Sequence, residues 1–360
     1  MNKKLLALAI AAALAPAAAM ADSGNVTIYG SLHMSVDSLD DGNNRETNVS
    51  SNSSYLGFKG NEDLGNGLKA IWQLETQFGM GDTSNTSSAT GTVTGTTTLT
   101  PISNSWANRN SFLGLSGNFG TAIVGRHDTP LKIVGRKADL FGDQIGDSRN
   151  LITVGGIGDL RPDNVIAYIS PTMGGFHGAI AYVTNNDSNF TEEGSTKATS
   201  ALGMYENGPV MVGLGYERHN VAGTDADPKQ WRLVGGYSFG DAKMTALYQK
   251  ADNLGAVDGA DRTTWGLGAA YKIGATTIKG QYYKAGDVND ASETGANMIV
   301  VGADYALSKR TTTYVAYART NNDDNTKAFS AFGGGHGDQP ATFANGDNSA
   351  GLSLGLKHAF

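Results

Sequence analysis

From Val26 the side chains alternate with a period of two. Val26, Ile28, Leu32, Met34 and Val36 share one parity with Gly30, while Thr27, Tyr29, Ser31, His33, Ser35 and Asp37 take the other. A helix would repeat every 3.6 residues, so this is a strand with one apolar and one polar face. Residues 39–50 are polar and read as a loop. A second strand over 55–62 points Leu56 and Phe58 outward and Lys59 inward. It turns at Asn66-Gly67, a strong hairpin signal, into Leu68, Ala70, Trp72, Leu74 and Phe78 alternating with Lys69, Gln73, Glu75 and Gln77. Residues 79–107 are mostly Thr, Ser, Gly and Asn, too polar for a core, and read as a solvated loop.

The alternation returns as hairpins over 108–126, 164–183, 198–219, 230–250, 263–284 and 297–321, and as a last strand with Leu352, Leu354, Leu356 and Phe360 set against Ser353, Gly355 and Lys357. Short turns alternate with long polar loops. The strands number sixteen, an even count. They predict an all-β fold, a 16-stranded antiparallel transmembrane β-barrel with apolar residues facing lipid and polar ones facing a lumen. Closing the sheet removes the edges that lipid cannot satisfy.

One connection does not fit the alternation. Residues 125–160 open GRHDTPLKIVGRKADLFGDQIGDSRN, far beyond the roughly 12 to 15 residues at which loops usually become functional or disordered. Leu131, Ile133, Val134, Leu140, Phe141 and Ile145 make it too apolar for a linker.

Composition narrows the compartment. Lys3 and Lys4 precede an uncharged run over 5–19, too short to span a bilayer, and Ala19-Met20-Ala21 offers a cleavage site, so 1–21 reads as a secretory signal peptide. Without Lys3 and Lys4 the 27 basic residues become 25 against 34 acidic ones, a net of −9, which argues against general nucleic-acid binding. With no Cys, stability must come from packing and backbone pairing. Residues 22–360 show no linker and form one domain.

The stretches NVTIYGSL, SYLGFKGNEDLGNGLKAIWQLE, RNSFLGLSGNFGTAIVGRHDTP, RPDNVIAYISP, YALSKRTTTYVAY and GLSLGLKHAF resemble, in order, the Gram-negative general diffusion porins of neisserial and betaproteobacterial type. The resemblance spans the whole chain after residue 21. It implies a homotrimer in the outer membrane, a water-filled channel for passive diffusion of small hydrophilic solutes and ions, and a third extracellular loop folded into the lumen. By position that loop is 127–160. Phe360 would be the aromatic terminus read by the outer-membrane assembly machinery. The segment TMGGFHG after SP departs from the family's usual acidic-aromatic pair.

Charges of both signs in a narrow lumen can offset the solvation an ion loses there. Parity sets Lys59, Lys69 and Arg126 on the lumen wall. Asp139, Asp143 and Asp147 lie at i, i+4 and i+8 and would align on a helix, interleaved with Lys132, Arg136, Lys137 and Arg149. Arg109 joins these candidate constriction residues, although its parity conflicts with Leu113 and Leu115 facing lipid. Other chemistry is weak. The two G-x-S-x-G matches, at Ser238 and Ser353, sit in alternating strands rather than at a strand-to-helix turn. The six histidines have no metal-binding spacing. The run 333–337, Gly-Gly-Gly-His-Gly, lacks a P-loop lysine and reads as a flexible outer loop. No cofactor or metal is expected. A substrate-specific channel on the same barrel and an outer-membrane barrel enzyme are the competing readings, but neither an aromatic lumen track nor a Ser/His/Asp cluster supports them.

Overall fold

The computed structural model describes residues 26–80, 106–153, 157–184, 197–221, 223–289, 291–337 and 344–360. The signal-peptide boundary at residue 21 and most of the polar stretch 79–107 lie outside the described residues. Among the described residues seventeen strands follow in chain order: β1 (Val26–Asp40), β2 (Arg45–Ser51), β3 (Tyr55–Gly65), β4 (Leu68–Gln77), β5 (Ser111–Gly117), β6 (Gly120–Arg126), β7 (Val165–Ile169), β8 (Phe176–Val183), β9 (Lys197–Asn207), β10 (Val210–Asn220), β11 (Lys229–Phe239), β12 (Ala242–Asp252), β13 (Arg262–Ile273), β14 (Thr276–Ala285), β15 (Ala296–Ala306), β16 (Thr311–Asn322) and β17 (Ser349–Ala359). Each pairs antiparallel with its neighbour, and β1 pairs with β17, so the sheet is closed.

β2 and β3 together occupy one position in the wall. β2 runs beside residues 34–40 of β1 and β3 beside residues 26–31, with a break at 52–54 where Ser53 takes a positive φ of 54°. Counted by position, the barrel has sixteen staves. The loop expected over 39–50 is therefore mostly strand. Near the rim neither face of β2 needs to be apolar, so a strand there leaves no alternation to read.

Elsewhere the alternation is realised. Outward side chains such as Leu74, Leu113, Leu214, Leu233, Leu267, Ile299 and Leu354 are exposed, as a lipid-facing surface requires. Two aromatic belts flank them: Tyr237, Phe239, Tyr271 and Tyr305 near the short turns, and Trp231, Tyr248, Trp265 and Tyr317 toward the long loops. Asn66 and Gly67 both take positive φ, 53° and 77°, as the two-residue hairpin demands. At the seam Phe360 exchanges two backbone hydrogen bonds with Gly30.

Two loops fill part of the lumen. The described residues of 127–160 carry two short helices, α1 (Pro130–Arg136) and α2 (Arg149–Ile152). Thr129 caps α1 by accepting from the Lys132 amide, and Pro130 starts it where its missing N–H costs nothing. The second loop, between β16 and β17, also turns inward, burying Phe329, Ala331, Phe332 and His336. The run 333–337 is therefore an internal wedge and not a flexible outer loop. Its glycines are needed because added side chains would collide: a Cβ at Gly335 would lie 2.1 Å from Asp143 Oδ1 and 2.4 Å from an Arg149 nitrogen.

Candidate constriction site

The loop over 127–160 lies against the inner wall of β9 to β16. Leu131, Val134, Phe141, Ile145, Leu151 and Ile152 are fully buried, while Ile133 and Leu140 pack at the margin. At about 25 cal/mol per Å², each such side chain contributes roughly 1.5–3 kcal/mol to docking. Phe141 fills the space left by Gly302 on β15, and Gly146 fits against Val300 and Ala318.

Polar wall residues then fix the loop's backbone. Ser200 accepts from the Leu131 amide at 3.0 Å, and Thr245 donates to the Ala138 carbonyl at 2.8 Å. Gln249 donates to Ile152 O at 2.8 Å. Gln281 holds the loop twice, accepting from Leu140 N at 3.0 Å and donating to Gly146 O at 2.8 Å. Lys279 donates to Leu140 O, Gln144 Oε1 and Asp304 within 3.1 Å and lies over the Phe141 ring. The wholly buried Arg232 bridges Leu131 O, Gln249 and Asp159. These residues sit on inward parity among apolar outward neighbours, a signal visible in the sequence but not specific for a loop anchor.

Asp139, Asp143 and Asp147 do converge, but not on a helix face, because 137–148 is a succession of turns. Asp147, fully buried, accepts from Arg136 at 2.9 Å, from Arg149 at 2.6 Å and from the backbone of Asp143 and Arg149. Arg149 also pairs with Asp143 at 2.7 Å, and Arg136 reaches Asp139 and Asp143 at 3.5 and 3.4 Å. Burial drives the Asp139 carboxyl up to about 6, reinforced by Asp147 and opposed by Arg136. Burial also acts on Asp147, but Arg149 and Arg136 overcome it and hold that carboxyl well below the usual range. Of this node only Arg136 (29%) and Asp143 (24%) keep substantial side-chain exposure.

The second loop braces the node. Gly146 N donates to Ala331 O at 2.7 Å, and Gly334 abuts Asp147. His336 Nε2 meets Asp37 of β1 at 3.0 Å, while Ser53 and Asn52 bond Gly335 and Gly337 at 2.8 and 2.9 Å. Asp128, Lys132 and Arg161 form a separate cluster at the loop's root, with contacts of 2.9 and 2.8 Å. Burial raises the Asp128 carboxyl, yet those two cations pull it well below its ordinary value.

The facing wall carries a second polar group. Tyr29 donates to Glu75 at 3.0 Å, Arg109 pairs with Glu75 at 3.4 Å and stacks over Tyr55 at 4.6 Å, and Lys59 lies 4.9 Å over Tyr29. Arg109 reaches the inward side because the ladder is irregular there. Ser111 Oγ replaces a backbone partner for Glu75 N, so the parity of Leu113 does not carry back to residue 109. Arg126 goes the other way. It shares the parity of Val124, which is 53% exposed, and is bound to Asp163 by two contacts of 2.6 and 2.8 Å at the rim. Contrary to the expectation from parity, Arg126 is not on the lumen wall, since Ile123 is the buried inward residue of β6. Lys69 faces inward beside the short turn at Gly67, away from the loop. Lys137 pairs with Glu206 at 2.8 Å.

A family model for the Gram-negative porin matches residues 7–325. The chain belongs to that family. This porin is 31% identical to outer membrane porin protein 32 of Delftia acidovorans over the full length of both chains. It is 32% identical to major outer membrane protein P.IB of Neisseria meningitidis serogroup A, over 94% of this chain and 98% of that one. Among solved structures, the anion-selective porin from Comamonas acidovorans superposes with a TM-score of 0.74 at 27% identity, covering 93% of this chain and 99% of that one. The porin therefore resides in the outer membrane of a Gram-negative bacterium and forms a channel for passive diffusion of small hydrophilic solutes and ions.

Proposed function

We propose that 127–160 is the constriction loop of this channel and that solutes pass between its exposed edge and the opposite wall. The edge consists of Arg136 and Asp143; the wall presents Lys59, Arg109 and Tyr55. The observation that carries this reading is the pinning of the loop to β9–β16 by Lys279, Gln281, Thr245 and Arg232, which leaves the side of β1, β3 and β4 as the passage. Asp139 and Asp147 hold the loop in shape and do not meet the solute.

The channel acts as a homotrimer formed by one domain over 22–360 after removal of the leader, with Phe360 as its assembly signal and no enzymatic activity. Likeness to the anion-selective Comamonas porin supports an anion preference. Planar-bilayer recording in asymmetric KCl tests the assignment: Lys59→Glu and Arg109→Glu each move the reversal potential toward cation preference, and conductance steps come in threes. If neither substitution moves the potential, those residues do not line the narrow part. Liposome swelling with graded sugars gives size-limited permeation; exclusion of every sugar would sink the channel reading.

A further inference from the structure

Between the far limb of the loop over 127–160 and the wedge at 333–337 lies a cleft of about 310 Å³, lined by Arg149, Thr153, Ile157, Asp159, Leu160 and Gly334. That is the small end of the roughly 300–1,000 Å³ of ligand pockets. Thr153 and Leu160 are half-buried and Gly334 is exposed, so solvent reaches it. Gly334, at a positive φ of 67°, adds no side chain to fill it.

The two charged groups of the lining are each only partly satisfied. Arg149 uses Nε and Nη2 on Asp147 and Asp143; among the described residues its Nη1 has no partner. Asp159 gives Oδ2 to Arg232 at 3.2 Å, whereas its Oδ1 has no partner in a side chain only 3% exposed. A buried carboxylate oxygen is ordinarily hydrogen-bonded. The two groups lie near enough to act on one another: Asp159 favours the charged form of Arg149, and Arg232, Arg149, Lys132 and Arg136 all favour the charged form of Asp159. Burial nevertheless outweighs those four cations and raises the Asp159 carboxyl above its ordinary value. Its charge is under-compensated, and a further cation beside it would be stabilised.

A solute that suits this arrangement carries both signs. A simple anion that meets Arg149 is repelled by Asp159, and a simple cation that meets Asp159 is repelled by Arg149. An α-amino acid holds a carboxylate and an ammonium on one carbon. Its carboxylate can accept from Arg149 Nη1, and its ammonium then lies on the side of Asp159. The side chain is left to the apolar part of the lining, Ile157 and Leu160, where covering it is favourable.

We propose that this cleft is a binding station for small zwitterionic solutes, namely α-amino acids with an aliphatic side chain. It rests on the channel reading and names a solute class for it. L-Leucine is the probe, added to the full-length porin in a planar bilayer in 0.1 M KCl, where it lowers the wild-type current saturably. 4-Methylpentanoate lacks the ammonium and 3-methylbutylamine lacks the carboxylate. Each needs about tenfold more for the same effect, in the range of one hydrogen bond to a charged group. Leu160→Ala raises the leucine concentration needed severalfold and leaves that of L-alanine unchanged. Asp159→Asn makes leucine no more potent than 4-methylpentanoate; should that variant fail to fold with Arg232 unpaired, Leu160→Ala and the analogue series decide. Lys69→Gln, beside the short turn at Gly67, leaves the leucine effect in place. Equal potency of the three molecules, a leucine effect untouched by Leu160→Ala, or its loss in Lys69→Gln overturns the station. Exclusion of sugars in liposome swelling would sink the channel reading instead, whereas sugars that pass without any leucine effect sink the station alone.

Discussion

Three aspartates share two arginines in the loop over 127–160, so one negative charge is in excess, and Asp139 yields. With its carboxyl raised to about 6 from an ordinary 3.8, the docked loop binds a proton that the undocked chain would release. Docking therefore strengthens as pH falls from about 6 toward 4 and is weakest above pH 6. Asp147, held low, keeps both arginines through that window. Open-channel noise is expected to be lower at pH 5 than at pH 7 in the wild type and flat in Asp139→Asn; a wild-type trace no quieter at pH 5 counts against this. Arg126 is the residue where parity reasoning failed, and its rim pairing with Asp163 reverses the expectation: Arg126→Glu leaves the reversal potential unchanged. A shift toward cations would restore it to the lumen.

At the scale of elements, the strands were legible because lipid and water impose opposite demands on alternate side chains, as in Val26 to Val36 or Leu352 to Phe360. Legibility ended where both faces are wet or where contacts are made between distant segments. Nothing in 45–51 marks β2, and Gly-Gly-Gly-His-Gly looks flexible until Asp143, Arg149 and Ser51 are seen against it. The six apolar loop residues call for a surface in the sequence itself, whereas nothing about Lys279 and Gln281 on their strand marks them as what holds the loop. Two substitutions separate these contributions. Phe141→Ala removes a buried ring, a change that costs about 3–5 kcal/mol in a core, and gives a noisier channel with normal barrel content by circular dichroism. Gly335→Ala forces a methyl into the node, an overpacking that costs about 1–3 kcal/mol, and changes single-channel conductance while Lys279 still anchors the loop. Wild-type conductance and noise in both would mean that the loops do not set the aperture.

For the whole molecule, closure of the barrel and shape of the channel are not independent. The wedge at 333–337 hangs between β16 and β17, whereas its dock at Asp37, Asn52 and Ser53 belongs to β1 and the interrupted stave β2–β3. These two regions adjoin only across the β1–β17 seam, where Phe360 meets Gly30. Phe360→Ala is accordingly expected to slow appearance of the heat-modifiable folded form on gels, and a rate equal to wild type would remove the terminus from closure. The break in the second stave then acquires a temporal meaning. A chain whose ends have not yet met has a wall and the loop over 127–160, but lacks the dock through which the wedge braces that loop. The finished aperture therefore needs the closed seam, so an incompletely closed barrel would be a leaky pore as well as a misfolded one.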